Sequence, residues 1–162
     1  MKTLPEGAPA DGRPDVLALE MMTRALIGIA LEAISSEGQG VTLPQFRLLL
    51  ALEGLGRVSS SRLAAQLGLA ASAITRMVDR LERAELVRRG TDRSNRSIVT
   101  VELTPAGQRL VTRALAHRHE RLATVLDRMS PDERDAAVRS ARQFARLSGD
   151  AVALGAAGPV PM

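Results

Sequence analysis

"SSSRLAAQLGLAASAITRMVDRLERAEL", Ser59 to Leu86, decides the fold. Counted from Ser60, Ala64 is the small residue that lets two helices approach and Gly68 makes the turn. Leu63, Leu67, Leu69, Ile74 and Met77 fall at the buried offsets. These positions together are the signature of a helix-turn-helix rather than of two ordinary packed helices. Ser59 or Ser60 caps the first helix, and the stretch from Leu69 onward supplies the second. A wheel at about 100° per residue puts Ile74, Met77, Val78 and Leu81 on one side of that second helix and Ser72, Thr75, Arg76, Asp79 and Arg83 on the other. The outward face is short and polar near the helix start, so that end can approach base edges, and Arg76 has the reach to bond guanine O6 and N7 with two donors. Asp79, one turn on, is placed to orient an arginine. The candidate DNA-contacting residues here are Ser60, Ser72, Thr75, Arg76, Arg80 and Arg83. A solvated face, its arginines paired with Asp79 and Glu82, is the competing reading.

Downstream, "RRGTDRSNRSIVTVELT" (Arg88 to Thr104) breaks the helical spacing. Strand-like residues at Leu86 to Arg89 and Ile98 to Leu103 flank a polar tip from Gly90 to Ser97, which is a two-stranded hairpin. Val99, Val101 and Leu103 alternate with Thr100 and Glu102, so the first set is expected to pack on the helices and the second to meet solvent. The tip carries Arg93 and Arg96 and no apolar anchor, so a mobile basic finger is expected, suited to a neighbouring minor groove.

Outward from this centre the chain reads as helices. Residues 1–14 are Pro-, Gly- and Ala-rich and form an expected disordered lead-in. From Asp15, the stripe Leu19, Met22, Leu26, Ile29 and Ala33 marks an amphipathic helix that ends at the GQG of residues 38–40. "TLPQ" (Thr42 to Gln45) is a capping box opening a helix through Phe46, Leu49, Leu50 and Leu52, expected to stop around Gly54 and Gly56. Thr104 followed by Pro105, and "SPDE" (Ser130 to Glu133), start two more. The tail 151–162 is expected to fray. The fold class is therefore mainly α: one domain over 15–150, with a winged helix-turn-helix lobe at 41–104 between flanking helices at 15–40 and 105–150 that look partner-binding.

Charge agrees with that division. The 162 residues carry a net +4, yet Arg57 to Arg96 holds 9 arginines against 4 acids, whereas residues 1–56 hold 4 basic and 7 acidic residues. A basic stretch of this kind suits a polyanion. Cysteine is absent, excluding disulfides and Cys-based zinc sites. No apolar run reaches transmembrane length and no signal peptide is apparent, so a cytoplasmic protein is expected. His117 and His119 are two apart and point about 200° away from each other on a helix, the wrong spacing for a metal pair. No nucleophile elbow and no phosphate-cradling glycine loop is present, so neither enzyme activity nor a cofactor is expected. The methionines, such as Met22, Met77 and Met129, sit at apolar helical positions and read as packing.

From Asp15 to Ser148 the chain resembles the MarR family of winged-helix regulators. "SAITRMVDRLERAELVRR" and "DRSNRSIVTVELTPAG" carry the resemblance. It implies a homodimer, built by the N- and C-terminal helices, that binds pseudo-palindromic double-stranded DNA and commonly loses affinity when a small-molecule effector binds. A repressor is the implied role. Ser72, Thr75 and Arg76 match the family's helix contacts, Arg96 its wing-tip arginine and Asp92 the first acid of its wing motif. Three positions depart from the pattern: Ala70 stands where a capping serine is usual, Asn95 replaces a second aspartate, and Ser97 replaces an arginine. Two alternatives stay open, a constitutive or architectural DNA-binding dimer without effector, and a winged-helix module that contacts protein instead.

Overall fold

The computed structural model describes residues 13–38, 40–92 and 95–148. Their elements are α1 (Pro14–Ser35), α2 (Leu43–Leu55), β1 (Val58–Ser59), α3 (Ser60–Leu67), α4 (Ala71–Arg83), β2 (Val87–Thr91), β3 (Val99–Leu103), α5 (Pro105–Asp127) and α6 (Pro131–Ser148). This is the mainly helical winged fold expected from the sequence. The tail, Arg93 and all but the last two residues of the lead-in lie outside the described residues, and α1 already begins at Pro14.

The helix starts are where the capping chemistry puts them. Thr104 accepts from the Gly107 N–H at 3.0 Å, with Pro105 behind it. Ser130 and Glu133 form the reciprocal box: the Glu133 carboxylate accepts from the Ser130 N–H (2.9 Å) and hydroxyl (2.8 Å), bonds that hold its carboxyl below the usual range. At α2 the Gln45 side chain reaches back to the Thr42 N–H at 2.8 Å, and the Thr42 hydroxyl donates to the same oxygen. Gly54 does not stop α2; the helix continues to Leu55 and ends at Gly56, whose φ of +67° suits a glycine.

One core serves the whole winged region. Phe46, Leu48, Leu49 and Leu52 of α2 pack with Leu63 and Leu67 of α3, Ile74, Val78 and Leu81 of α4, and Leu110 and Val111 of α5. Leu86, Val87 and Val101 close it from the strands. Leu69, expected inside, is 38% exposed. It is the first residue past the turn, and its backbone rather than its side chain does the work there: the Leu69 N–H donates to Ala64 O (3.0 Å) and the Gly68 N–H to Ala65 O (3.3 Å). With Gly68 left-handed at φ +64°, that pair of bonds is the Schellman ending of α3.

The same ending recurs at α4 without a glycine. The Leu86 N–H donates to Leu81 O and the Glu85 N–H to Glu82 O, both at 2.9 Å, with Glu85 at φ +58°. A side chain in that conformation costs about 1–2 kcal/mol, part of which glycine's extra unfolded-state freedom offsets. Glu85→Gly is expected to raise stability by about 0.5–1 kcal/mol in urea unfolding. A midpoint unchanged or lowered would show that the strain is relieved elsewhere.

The sheet has one more strand than the hairpin anticipated. Its order is β1-β3-β2, all antiparallel, with Val58 opposite Val101 and Ser59 opposite Thr100. Two residues between a glycine turn and a serine cap are too few to show alternation, so β1 leaves no periodic signal. The burial of β3 departs from the expected alternation. Val101 is buried as expected, but Val99 is 46% exposed near the tip, and Thr100 is buried because Arg57 Nε donates to its hydroxyl at 2.9 Å.

Ion pairs hold α1 and the turn after it over α5: Glu37 with Arg113 at 2.6 Å, and Glu32 with Arg121 at 3.2 Å. The apolar stripe of α1 stays largely uncovered, with Leu19, Met22 and Leu26 each at least 40% exposed and only Ala33 deeply buried. Helix α6 buries no residue, and its Phe144 and Leu147 are 55% and 76% exposed. Phe46, by contrast, is buried in the core. Among the described residues no helix is long and apolar enough to cross a membrane, and no cluster of three or more His, Asp and Glu could hold a metal ion.

Candidate nucleic-acid interface

Helix α4 is strongly two-faced. Ile74, Val78 and Leu81 are almost wholly buried and Met77 is half-buried, so the opposite face is fixed in space by the core it leaves behind. On that face Ser72, Thr75, Arg76, Arg80 and Arg83 are exposed. Thr75 donates its hydroxyl to Ala71 O at 3.0 Å, which leaves the oxygen lone pairs turned outward. Ala70 is the N-cap and supplies no side-chain bond, so the helix start keeps unsatisfied N–H groups and a positive end. Ser60 is the first residue of α3, half-buried, and the cap is Ser59, which accepts from the Arg62 N–H at 3.3 Å. The structure therefore sets Ser60 on a different helix from the α4 group.

The solvated-face reading required Asp79 and Glu82 to neutralise the helix arginines. They do not. Both carboxylates are taken by Arg89 of β2: Nη2 bonds Asp79 Oδ1, Nη1 bonds Glu82 Oε2, and the Arg89 backbone N–H donates to Glu82 Oε1 at 3.3 Å. Bonding to Asp79 first, and the charge of Glu82 beside it, push the guanidinium pKa above its ordinary value. Among the described residues Arg76, Arg80, Arg83 and Arg96 make no ion pair. Asp79 orients an arginine, as its position suggested, but the arginine comes from the wing.

The wing is braced at base and tip. Arg88 pairs with Glu102 directly across the ladder at 2.9 Å. Arg57, just before β1, holds Thr100 and also donates to Thr91 O at 2.6 Å, lying across Gly90, where a Cβ would approach its Nη2 to 2.5 Å. Towards the tip the described residues are tied to one another by short turns. Asp92 Oδ1 accepts from the Asn95 N–H at 3.2 Å, Asn95 Oδ1 accepts from the Ser97 N–H at 3.0 Å, and the Asp92 N–H reaches Ile98 O at 2.9 Å. These are turns within the hairpin itself. An asparagine oxygen can accept the same backbone N–H that a carboxylate would, so Asn95 makes the turn while dropping a charge. Arg96 is exposed on it. Arg57 and Arg89 are the residues that sequence reasoning missed as parts of this surface; each acts on a different element from its own, Arg57 across 34 and 43 residues, and only the acid pair Asp79 and Glu82 signalled that a cation must come from somewhere.

The basic outward helix, its turn and its braced hairpin are one continuous unit in sequence, and a family model described as "MarR family" matches residues 41–99. A structure of RV1404 from Mycobacterium tuberculosis is 34% identical, covering 88% of this chain and 99% of that one, with a TM-score of 0.79. The chain belongs to the MarR family. Two relatives in Bacillus subtilis (strain 168) are each 32% identical: the uncharacterized HTH-type transcriptional regulator YsmB over 93 residues, 57% of this chain, and the HTH-type transcriptional repressor MdtR over 99 residues, 61% of this chain. The match spans 64% of the length of each of these curated relatives. The family and these relatives are transcriptional regulators, not enzymes.

Proposed function

We propose that this MarR-family chain is a homodimeric DNA-binding regulator that reads a pseudo-palindromic operator, with α4 in the major groove and the β2–β3 wing in the adjacent minor groove. The observation that carries the reading is the unneutralised outward face of α4. Ser72 and Thr75 are short enough to let the helix start enter the groove, Arg76 reaches base edges, and Arg80 and Arg83 lie along the same face to meet phosphate. Ser60 flanks this face from the first residue of α3. Arg96, with Arg93 in the same tip segment, addresses the minor groove.

In this reading residues 41–104 are the DNA-binding lobe, and residues 15–40 and 105–150 supply the dimer. Uncovered apolar rows on α1 and α6 support that division, because soluble monomers rarely leave such rows open. A second copy brings two α4 helices about 34 Å apart, one turn of duplex. Kinship with MdtR favours repression, and family membership favours a small-molecule effector that binds one dimer arrangement better than the other. The effector is absent from the alternative, a constitutive dimer; a specific one raises the melting temperature by mass action.

Sedimentation of the full chain at micromolar concentration is expected to give a dimer, and anisotropy titration of its own promoter region to give binding that weakens linearly in log salt. A persistent monomer, or no binding in low salt, would overturn the reading.

A further inference from the structure

Asp79 stands three residues after Arg76 and four before Arg83. At those spacings helix side chains meet, and opposite charges pair. An unoccupied Asp79 would therefore draw in the arginine on either side of it, and Glu82 would place a second negative charge beside the surface offered to DNA. In the structure neither happens, because the guanidinium of Arg89 spans both carboxylates from the first strand of the wing. The trio is only partly buried: the Arg89 side chain is 31% exposed and each acid 38%. Each terminal nitrogen of Arg89 gives one N–H to a carboxylate, and the charge of the guanidinium is met by two acids within the protein.

We infer that Arg89 is a positioning residue for DNA recognition: it keeps the two carboxylates of α4 occupied so that Arg76 and Arg83 stay free for the duplex. This rests on the proposed DNA reading. Arg89 acts through other residues, and its contribution should vanish when the acids it occupies are removed. A residue that gripped phosphate directly would matter equally with or without those acids, and one that only pinned the wing through them would leave the acid-free protein binding more weakly than wild type.

The test is a double-mutant cycle on a duplex that the full-length wild-type protein selects from random DNA. Arg89→Gln is expected to lose about tenfold or more in affinity and to flatten preference at the base position that Arg76→Ala also flattens. The Asp79→Asn/Glu82→Gln double variant should bind as tightly as wild type or more so. The triple variant, adding Arg89→Gln, should bind within about threefold of that double variant, the coupling that marks groups acting on one another. If Arg89→Gln melts too low to assay, because two acids are left facing each other, the triple variant has no such repulsion and its comparison with the double variant decides the matter. An equal loss on removing Arg89 in both backgrounds, or a tenfold gap between triple and double variants, overturns the inference while leaving DNA binding intact. Failure of the wild-type protein to select any duplex overturns the DNA reading and this inference together.

Discussion

Gly107→Ala should lower stability by about 3 kcal/mol, at the upper end for overpacking, and lower the melting temperature by roughly 6–12 °C for a chain of this size. Gly107 lies in the first turn of α5, where a Cβ would overlap the Leu86 carbonyl oxygen and come within 3.0 Å of its carbon. The obstacle is backbone, and it is fixed from three directions. Leu86 O accepts from the Thr104 N–H at 3.1 Å, the Thr104 hydroxyl donates to Glu85 O at 2.6 Å and accepts from Gly107 itself, and the Leu86 side chain is fully buried. Neither side can give way without opening the junction that joins the end of α4, the wing and the start of α5. At Gly90, by comparison, the added methyl meets the far end of the Arg57 side chain, which can swing aside, so Gly90→Ala should cost less. Equal melting temperatures for Gly107→Ala and wild type would mean that the close approach is not present in solution. Since Glu85 sits in the same junction, Glu85→Gly and Gly107→Ala should move stability in opposite directions.

Much of this was readable beforehand, for reasons that are local. Gly68 ending α3, Thr104 capping α5 and Ser130 boxing with Glu133 are decided within four residues, and the sequence displays them directly. The inward set of α4 follows from a period that no tertiary contact has to correct. What was not readable depends on how separate elements come together. Thr100 reads as solvent-facing until Arg57, 43 residues earlier, is laid over it. Asp79 and Glu82 read as partners for arginines on their own helix until β2 folds back and delivers Arg89. Leu69 reads as core by its offset, but an offset cannot show that the turn's backbone bonds already fill its role. At the candidate interface the exposed arginines were visible from the sequence, whereas their freedom from neutralisation was not.

That freedom sets the second large expectation. Arg76→Ala is expected to cost about 1–3 kcal/mol at one base position in each half-site, hence about 2–6 kcal/mol for a symmetric dimer, or roughly 30-fold to 10⁴-fold in affinity for the preferred operator. In the proposed reading the lost bonds are to base edges, so the salt slope should change little and binding to unrelated DNA should fall far less. Arg96→Ala removes a cation from the wing tip, where the readable pattern is the width and potential of the minor groove. Its loss should weaken binding nearly evenly across major-groove sequence and reduce the salt slope by about 0.9 for each phosphate neutralisation removed, about 2 for a dimer. The two side chains sit on separate elements, with the Arg89 bridge between helix and wing left intact in both variants, so their effects should add. Titrating each variant against a library of operator sequences at several salt concentrations separates them. Identical base-preference profiles for Arg76→Ala and Arg96→Ala would refute the division of labour between helix and wing.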